Sequence, residues 1–326
     1  MKFHPLLLVA SVLPFVPGAW GQTTETASSD LAGHYQITVR SNSSKVVGTS
    51  FVRPSVAAGH LETTSANTLE DTDADFTATL SPGVAYWVEI TSGGNKGLAS
   101  IVSSFTQHGL VTEDDLSAFI SAGDTYAVRP AHTIASLFGT TNSAGLRAGT
   151  SATNADRVEV PDGQGGLAVV YYNNTAPAGW RTSTTGTDDA SNLPVYHVDA
   201  LNITRNANSN LKLVFAGSLR KNPTYYGILP GLNYVNVNYP VGSTLGNSTL
   251  QTQVKQGDST TGDLVWIPNS ATGYKKYYCN AGVWRLVSGN NADRGTVALT
   301  PGIIIERRDA ATNLQIPPNA ALYGGL

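Results

Sequence analysis

Asp156-Arg157-Val158-Glu159-Val160-Pro161 returns as Asp263-Leu264-Val265-Trp266-Ile267-Pro268, at an offset of 107 (263 minus 156). Both hexapeptides carry β-branched residues at positions three and five and end in proline. That suits a strand end, because proline donates no ladder hydrogen bond. Three more pairs follow in the same order. Tyr171-Tyr172-Asn173-Asn174 matches Tyr277-Tyr278-Cys279-Asn280, Gly179-Trp180-Arg181 matches Val283-Trp284-Arg285, and Ile203-Thr204-Arg205-Asn206 matches Ile305-Glu306-Arg307-Arg308. The offset drifts from 107 through 106 and 104 to 102, as short loop deletions between fixed strands would produce.

This order predicts a duplication, with one unit at 145–222 and a second at 223–326. Trp180 and Trp284 are the natural core anchors, since an indole buries a large apolar area. Arg181 and Arg285 then face the other way, because neighbours on a strand alternate. The Tyr-Tyr pairs place one ring on each face. The alignment predicts that Trp180 superposes on Trp284 and Tyr172 on Tyr278.

The rest of the chain reads as further strands. Tyr35-Gln36-Ile37-Thr38-Val39, Ala85-Tyr86-Trp87-Val88-Glu89-Ile90 and Thr125-Tyr126-Ala127-Val128 are short β-branched and aromatic runs bounded by turn residues. Two short helices are expected. One runs from Thr112 to Ala122, with Leu116, Phe119 and Ile120 at helical spacing and Gly123 as its stop. The other follows Pro130, with Ile134, Leu137 and Phe138 on one face and Gly139 at its end. The expected fold is therefore mostly β. A small N-terminal β domain occupies 22–130, a short helix and linker 131–144, and two duplicated β-barrel or sandwich-like units the remainder.

Residues 1–21 read as a signal peptide: Lys2, an apolar stretch from Pro5 to Val16, then Ala19 and Gly21 in a small-x-small end. Cleavage would leave Gln22 first and take the formal net charge from −3 to −4 as Lys2 leaves. Charged residues are 13% of the chain, against about 25% in typical domains. The polar surface must therefore come from Ser, Thr, Asn and Gly. No basic footprint exists for nucleic acid. No second long apolar stretch exists for a transmembrane helix. The one cysteine, Cys279, permits no intramolecular disulfide and reads as a buried, inert thiol.

Motifs that carry chemistry are sparse. Asp71, Asp73 and Asp75 alternate like the start of a calcium loop, but Phe76 and Pro82 stand where its glycine and its final glutamate belong. An EF-hand is excluded, leaving these three as a weak calcium candidate. The five histidines after the signal have no metal-ligand spacing, and no G-x-S-x-G elbow occurs. The sequence gives no catalytic residue and no cofactor. The remaining candidates are aromatic: Trp87, Tyr171, Tyr172, Trp180, Tyr225, Tyr226, Trp266, Tyr277, Tyr278 and Trp284 could offer exposed rings for sugar stacking, and the foremost binding candidates are Tyr171, Tyr172, Trp180, Tyr277, Tyr278 and Trp284 with Arg181 and Arg285. The same residue types also fill β cores.

Val47-Gly48-Thr49-Ser50-Phe51-Val52-Arg53-Pro54, Tyr86-Trp87-Val88-Glu89-Ile90-Thr91-Ser92-Gly93, Gly123-Asp124-Thr125-Tyr126 and Leu137-Phe138-Gly139, followed by the paired elements above, resemble an uncharacterised family of exported bacterial proteins. The resemblance runs from about Gly48 to Pro317. It implies export and a repeated β architecture, and carries over no catalytic residue. This chain departs from the pattern at Cys279 and in the longer stretch between Thr182 and Val195. Two functions fit. One is an exported non-catalytic β protein of the surface or matrix, with extracellular polysaccharide or other surface proteins as partners. The other is a secreted polysaccharide-acting hydrolase, favoured by compartment and aromatic content alone.

Overall fold

The structure, a computed structural model, describes residues 32–239, 242–269 and 273–317. The signal peptide expected at 1–21 lies outside the described residues. Strands β1 (Ala32–Val39) and β2 (Ser44–Gly48) open the fold. Next come β3 (Ala57–His60), β4 (Thr63–Ser65), β5 (Thr68–Glu70), helix α1 (Phe76–Thr79), β6 (Tyr86–Ile90), β7 (Ala99–Phe105), β8 (Gly109–Thr112) and β9 (Thr125–Pro130). These seven strands form one antiparallel sheet in the order β3-β9-β6-β7-β8-β5-β4, over a core that includes Leu69, Phe76, Ile90 and Tyr126.

After β10 (His132–Thr133) and α2 (Ile134–Phe138), the chain makes β11 (Arg157–Pro161), β12 (Leu167–Asn173), β13 (Gly179–Thr182), β14 (Pro194–Val195), β15 (Ala200–Thr204) and β16 (Leu211–Ser218). The remainder is β17 (Thr224–Ile228), β18 (Gly231–Asn236), α3 (Leu250–Gln253), β19 (Leu264–Pro268), β20 (Tyr274–Asn280), β21 (Val283–Leu286), β22 (Gly302–Arg307) and β23 (Thr312–Ile316).

The pairings repeat. One five-stranded sheet runs β13-β12-β11-β15-β2 and the other β21-β20-β19-β22-β18. Beside the first lies the ribbon β1-β16, beside the second the ribbon β17-β23. Copy 2 is therefore the unbroken run β17 to β23. Copy 1 has the same seven strands, but its first two come from residues 32–48, and the seven-stranded sheet is inserted after them. The expected boundaries miss this: β1 and β2 fall in the segment read as a separate N-terminal domain at 22–130, yet they pair with β16 and β15. Each copy closes its own core. Val39, Val47, Val158, Trp180, Leu201 and Phe215 belong to the first, and Val235, Val265, Trp284, Ile303 and Leu314 to the second.

The outer faces of the two sheets meet around Val46, Ala200 and Ile304. β2 lies against β22 and β15 against β18, a crosswise arrangement that exchanges the copies about a pseudo-twofold axis. Contact at that seam explains Gly48. A Cβ there would stand 2.2 Å from the Asn236 side-chain oxygen and 2.5 Å from the Pro301 carbonyl.

Two local expectations change. The helix expected from Thr112 to Ala122 is the end of β8 followed by turns. The Thr112 N–H donates to the Asn67 carbonyl, and Asp115 accepts from both the backbone N–H and the hydroxyl of Ser117. Such local side-chain bonds compete with helical ones. Leu116 and Ile120 still reach the core, while Phe119 is 56% exposed. The helix after Pro130 is α2, with Thr133 and Ser136 forming a reciprocal capping box.

The tyrosine alignment slips by one residue. Trp180 faces Tyr172 across β12-β13, whereas Trp284 faces Cys279 across β20-β21. Tyr172 thus corresponds to Cys279 and Tyr171 to Tyr278, because the sheet registers hold an offset of 107 through β12 and β20. The expected superposition of Tyr172 on Tyr278 is corrected, while Trp180 and Trp284 hold equivalent places.

Candidate functional site

The aromatic set does not converge. Trp180 and Trp284 are buried, as are Tyr171 and Tyr277, so none of these four offers a ring face to a ligand. The Trp180 indole N–H donates to the Gly139 carbonyl at 2.9 Å, and Tyr172 meets the ring edge-on at 5.2 Å. Trp284 fills the same niche with Cys279 opposite, and its indole N–H has no hydrogen-bond partner among the described residues. Tyr172, Tyr278, Arg181 and Arg285 are half-buried and divided between two sheets. Arg181 donates to the Pro177 and Trp180 carbonyls, and Arg285 to that of Asn280. These eight side chains hold strands together and do not assemble a stacking platform. Cys279 is buried, which pushes its thiol above the ordinary range.

The repeated aspartates have the same kind of use. Asp156 pairs with Arg205, and accepts from the backbone N–H groups of Arg147 and Asn206. Asp263 pairs with Arg307 at 2.6 Å and accepts from those of Lys255 and Arg308. Both carboxylates are buried. A buried charge is tolerated when it is paired and its lone pairs are filled. Each clasp ties the start of the hexapeptide strand to the end of the strand beside it.

A third polar node joins the inserted sheet to copy 1. Glu89, buried on β6, takes Arg220 at 3.1 Å, Arg129 at 3.5 Å and the Asn222 amide at 2.6 Å. His197 stacks on Trp87 with ring centroids 4.0 Å apart. Burial, with Arg220 and Arg129 nearby, holds its imidazole well below the ordinary histidine value and therefore neutral.

Of the calcium candidates, Asp71 and Asp73 lie together, but Asp75 does not join them. It caps α1, accepting from the Ala78 N–H and the Thr77 hydroxyl. Glu62 takes its place, with the ligand atoms of Glu62, Asp71 and Asp73 all within 4.8 Å of one another. Asp71 is already committed: Tyr126 Oη donates to it at 2.6 Å, and the N–H groups of Asp73 and Ala74 donate to its other oxygen. The group reads as a closed turn.

A concave site lies in a cleft at the seam of the copies. Copy 1 supplies Pro161, Gly163, Gly165, Gly166, Val198 and Asp199, and copy 2 supplies the β17-β18 hairpin from Tyr226 to Val235. The tight turn after β11 comes close because Gly163 and Gly165 adopt φ of 75° and 85°, open to glycine at little cost. The hairpin presents Leu229 and Leu232, each 42% exposed, with Tyr234 beside them. Asp199 is the one charged side chain in this lining. One of its carboxylate oxygens accepts from the Tyr196 N–H at 2.8 Å. Burial pushes its carboxyl up to about 7, a shift the Tyr196 bond only partly offsets. Sequence reading missed Asp199, Leu232 and Tyr234, because no motif marks them. A signal existed in the repeat itself: Asp199 stands where copy 2 has Pro301, since Ala200 and Gly302 hold equivalent ladder positions.

No protein-family model matches the chain, and no curated protein is significantly similar to it.

Proposed function

We propose that this is an exported β protein that works by binding, as a surface or matrix component, with the cleft between the copies as its binding site and extracellular polysaccharide as its partner. The cleft carries this reading: it is open, floored by Leu229, Leu232 and Tyr234, rimmed by glycine backbone, and holds a single carboxyl group. Sugar ligands present apolar ring faces and hydroxyls, which such a mixed surface suits. The duplicated tryptophans, aspartates and arginines support it indirectly, because they are spent on the two frameworks. Export rests on the N-terminal segment, and intact-mass analysis of secreted material should show a chain starting at or near Gln22. A chain retaining Met1 would remove the basis for an extracellular partner.

The test of binding is a glycan array probed with the chain from Gln22, alongside Leu232→Ser and Tyr234→Ala. Retention of a polysaccharide by the parent chain and its loss in both variants supports the reading. No retention by the parent overturns it. Asp199 favours a second reading, a polysaccharide hydrolase, because a carboxyl that keeps its proton near neutrality suits a general acid. Cleavage of an array-positive polymer, abolished in Asp199→Asn, would establish that reading instead.

A further inference from the structure

Asp199 differs from the buried carboxylates of the three ion-paired nodes described above, and from Asp71, whose two oxygens take the Tyr126 hydroxyl and two backbone N–H groups. Asp156, Asp263 and Glu89 each have an arginine partner, whereas Asp199 makes no ion pair among the described residues. Among the described residues its one hydrogen-bond donor is the Tyr196 N–H, on one oxygen, and the side chain lines the cleft wall with the other. No Lys, Arg or His lines the cleft. The other titratable side chains there are the hydroxyls of Tyr226 and Tyr234, both pushed above their ordinary value by burial and therefore neutral. The Tyr226 hydroxyl is occupied, donating to the Asn236 carbonyl. From the segment that carries Asp199, His197 points away and stacks on Trp87. An acid so placed lacks a cation, and none of the described residues supplies one.

The duplication makes the same point independently. Leu232 and Tyr234 pair with Glu306 and Ile304, and the equivalent ladder places in copy 1 are Ser44 and Val46, opposite Thr204 and Asn202. Where the cleft has Asp199 of copy 1 with Leu232 and Tyr234 of copy 2, the pseudo-twofold-related places hold Pro301 of copy 2 with Ser44 and Val46 of copy 1. The framework residues are shared, and the cleft residues are not. Sheet geometry therefore does not demand the cleft's chemistry, since the same geometry forms without it.

We propose that the cleft binds an amino-sugar unit of a polysaccharide, with the sugar ammonium on the second oxygen of Asp199 and the apolar sugar face over Leu232 and Tyr234. This rests on the polysaccharide reading above and narrows it to a cationic class. A charge-assisted hydrogen bond from an ammonium to a partly desolvated carboxylate is stronger than a neutral one. It also predicts a proton event. Asp199 holds its proton up to about neutral pH in the free protein, so pairing it with an ammonium drives that proton into solution.

The experiment titrates the chain from Gln22 by calorimetry at about pH 6 with a glucosamine tetramer and, separately, with its N-acetylated form. The same titrations are run on Asp199→Asn, which keeps the acceptor for the Tyr196 N–H, and on Leu232→Ser, a change at an exposed position. The expected result is a preference of about tenfold or more for the free amine, and release of close to one proton, seen as buffer-dependent heat. Asp199→Asn should lose both while keeping the weaker binding of the N-acetylated form. Leu232→Ser should weaken both ligands and keep the preference. Equal binding of the two tetramers, or a preference that survives Asp199→Asn, overturns the ammonium assignment and leaves the polysaccharide reading standing. Failure of both tetramers while another polymer is retained on the array does the same. Failure of every polymer overturns both.

Discussion

Copy 1 and copy 2 build the same seven-strand unit from chains of very different continuity. Copy 2 runs without interruption from β17 to β23. Copy 1 is cut after β2 by more than a hundred residues before β11 resumes the sheet. Both nevertheless keep a buried tryptophan at the same ladder place, a buried aspartate paired with an arginine, and a tyrosine hydroxyl anchoring the second strand. Tyr35 donates to the Gly48 carbonyl in copy 1, and Tyr226 to that of Asn236 in copy 2. Those acceptors are equivalent, although the donors sit two ladder places apart on the same strand face. The unit thus tolerates a large insertion and a moved side chain, provided its core and its buried charges stay satisfied. Loop length costs little entropy. An unpaired buried charge costs much more.

Breaking a clasp gives the largest effects. Arg205→Ala and Arg307→Ala should each destabilise the fold by about 3–5 kcal/mol, because a buried carboxylate is left unpaired. Each Nε also bonds a carbonyl, Ser209 for Arg205 and Ala310 for Arg307, but Arg205 should cost more, since it alone adds bonds to the Gly145 carbonyl and the Ser209 hydroxyl. Chemical denaturation of both variants tests this, and equal small losses would show that the clasps are incidental. Trp180→Ala and Trp284→Ala should likewise cost about 3–5 kcal/mol each by the cavity they leave. A Trp284→Ala protein melting like its parent would contradict the burial of that ring.

The pH response separates the copies. In copy 1, His197 has its folded pKa depressed, so its share of stability is complete above the unfolded histidine value. That share is lost as pH falls below about 6.5. Asp199 has the opposite sign. Its folded pKa is raised to about 7, so the stability it contributes is present at acid pH and lost as pH rises through that value. Leu299 and Pro301 occupy the corresponding places in copy 2 and cannot titrate. Asp199→Asn should therefore gain melting temperature relative to the parent as pH rises from about 4 to above 7. A constant difference between the two proteins would refute this.

Smaller effects sharpen the comparison. Trp180→Phe forfeits the bond to the Gly139 carbonyl, which Trp284 lacks, so it should cost about 1 kcal/mol more than Trp284→Phe. Arg181→Ala and Arg285→Ala should each cost under about 1 kcal/mol, since their side chains are half-exposed and bond only to carbonyls.

The amino-acid pattern alone made the β class legible, and it carries the ordered recurrence of motifs in which Trp180 and Trp284 take matching places. These are local facts: alternation, turn residues and order along the chain. Locality also explains the errors. A Tyr-Tyr pair aligns by eye with another, but register is a property of paired strands, and one residue of slip exchanges the faces. Tyr171 shows how this changes burial. The longer stretch after Thr182 brings Gly186 over its hydroxyl, while the equivalent Tyr278 stays half-exposed. Helical spacing from Thr112 to Ala122 lost to a strand pairing with residues brought from elsewhere in the sheet. The tertiary structure alone decided that β1 and β2 belong to copy 1, that the aspartates meet arginines about 45 residues away (205 minus 156, 307 minus 263), and that Asp199 faces a hairpin of the other copy. Each depends on contacts between residues far apart in sequence, and side-chain periodicity carries no information about a distant partner.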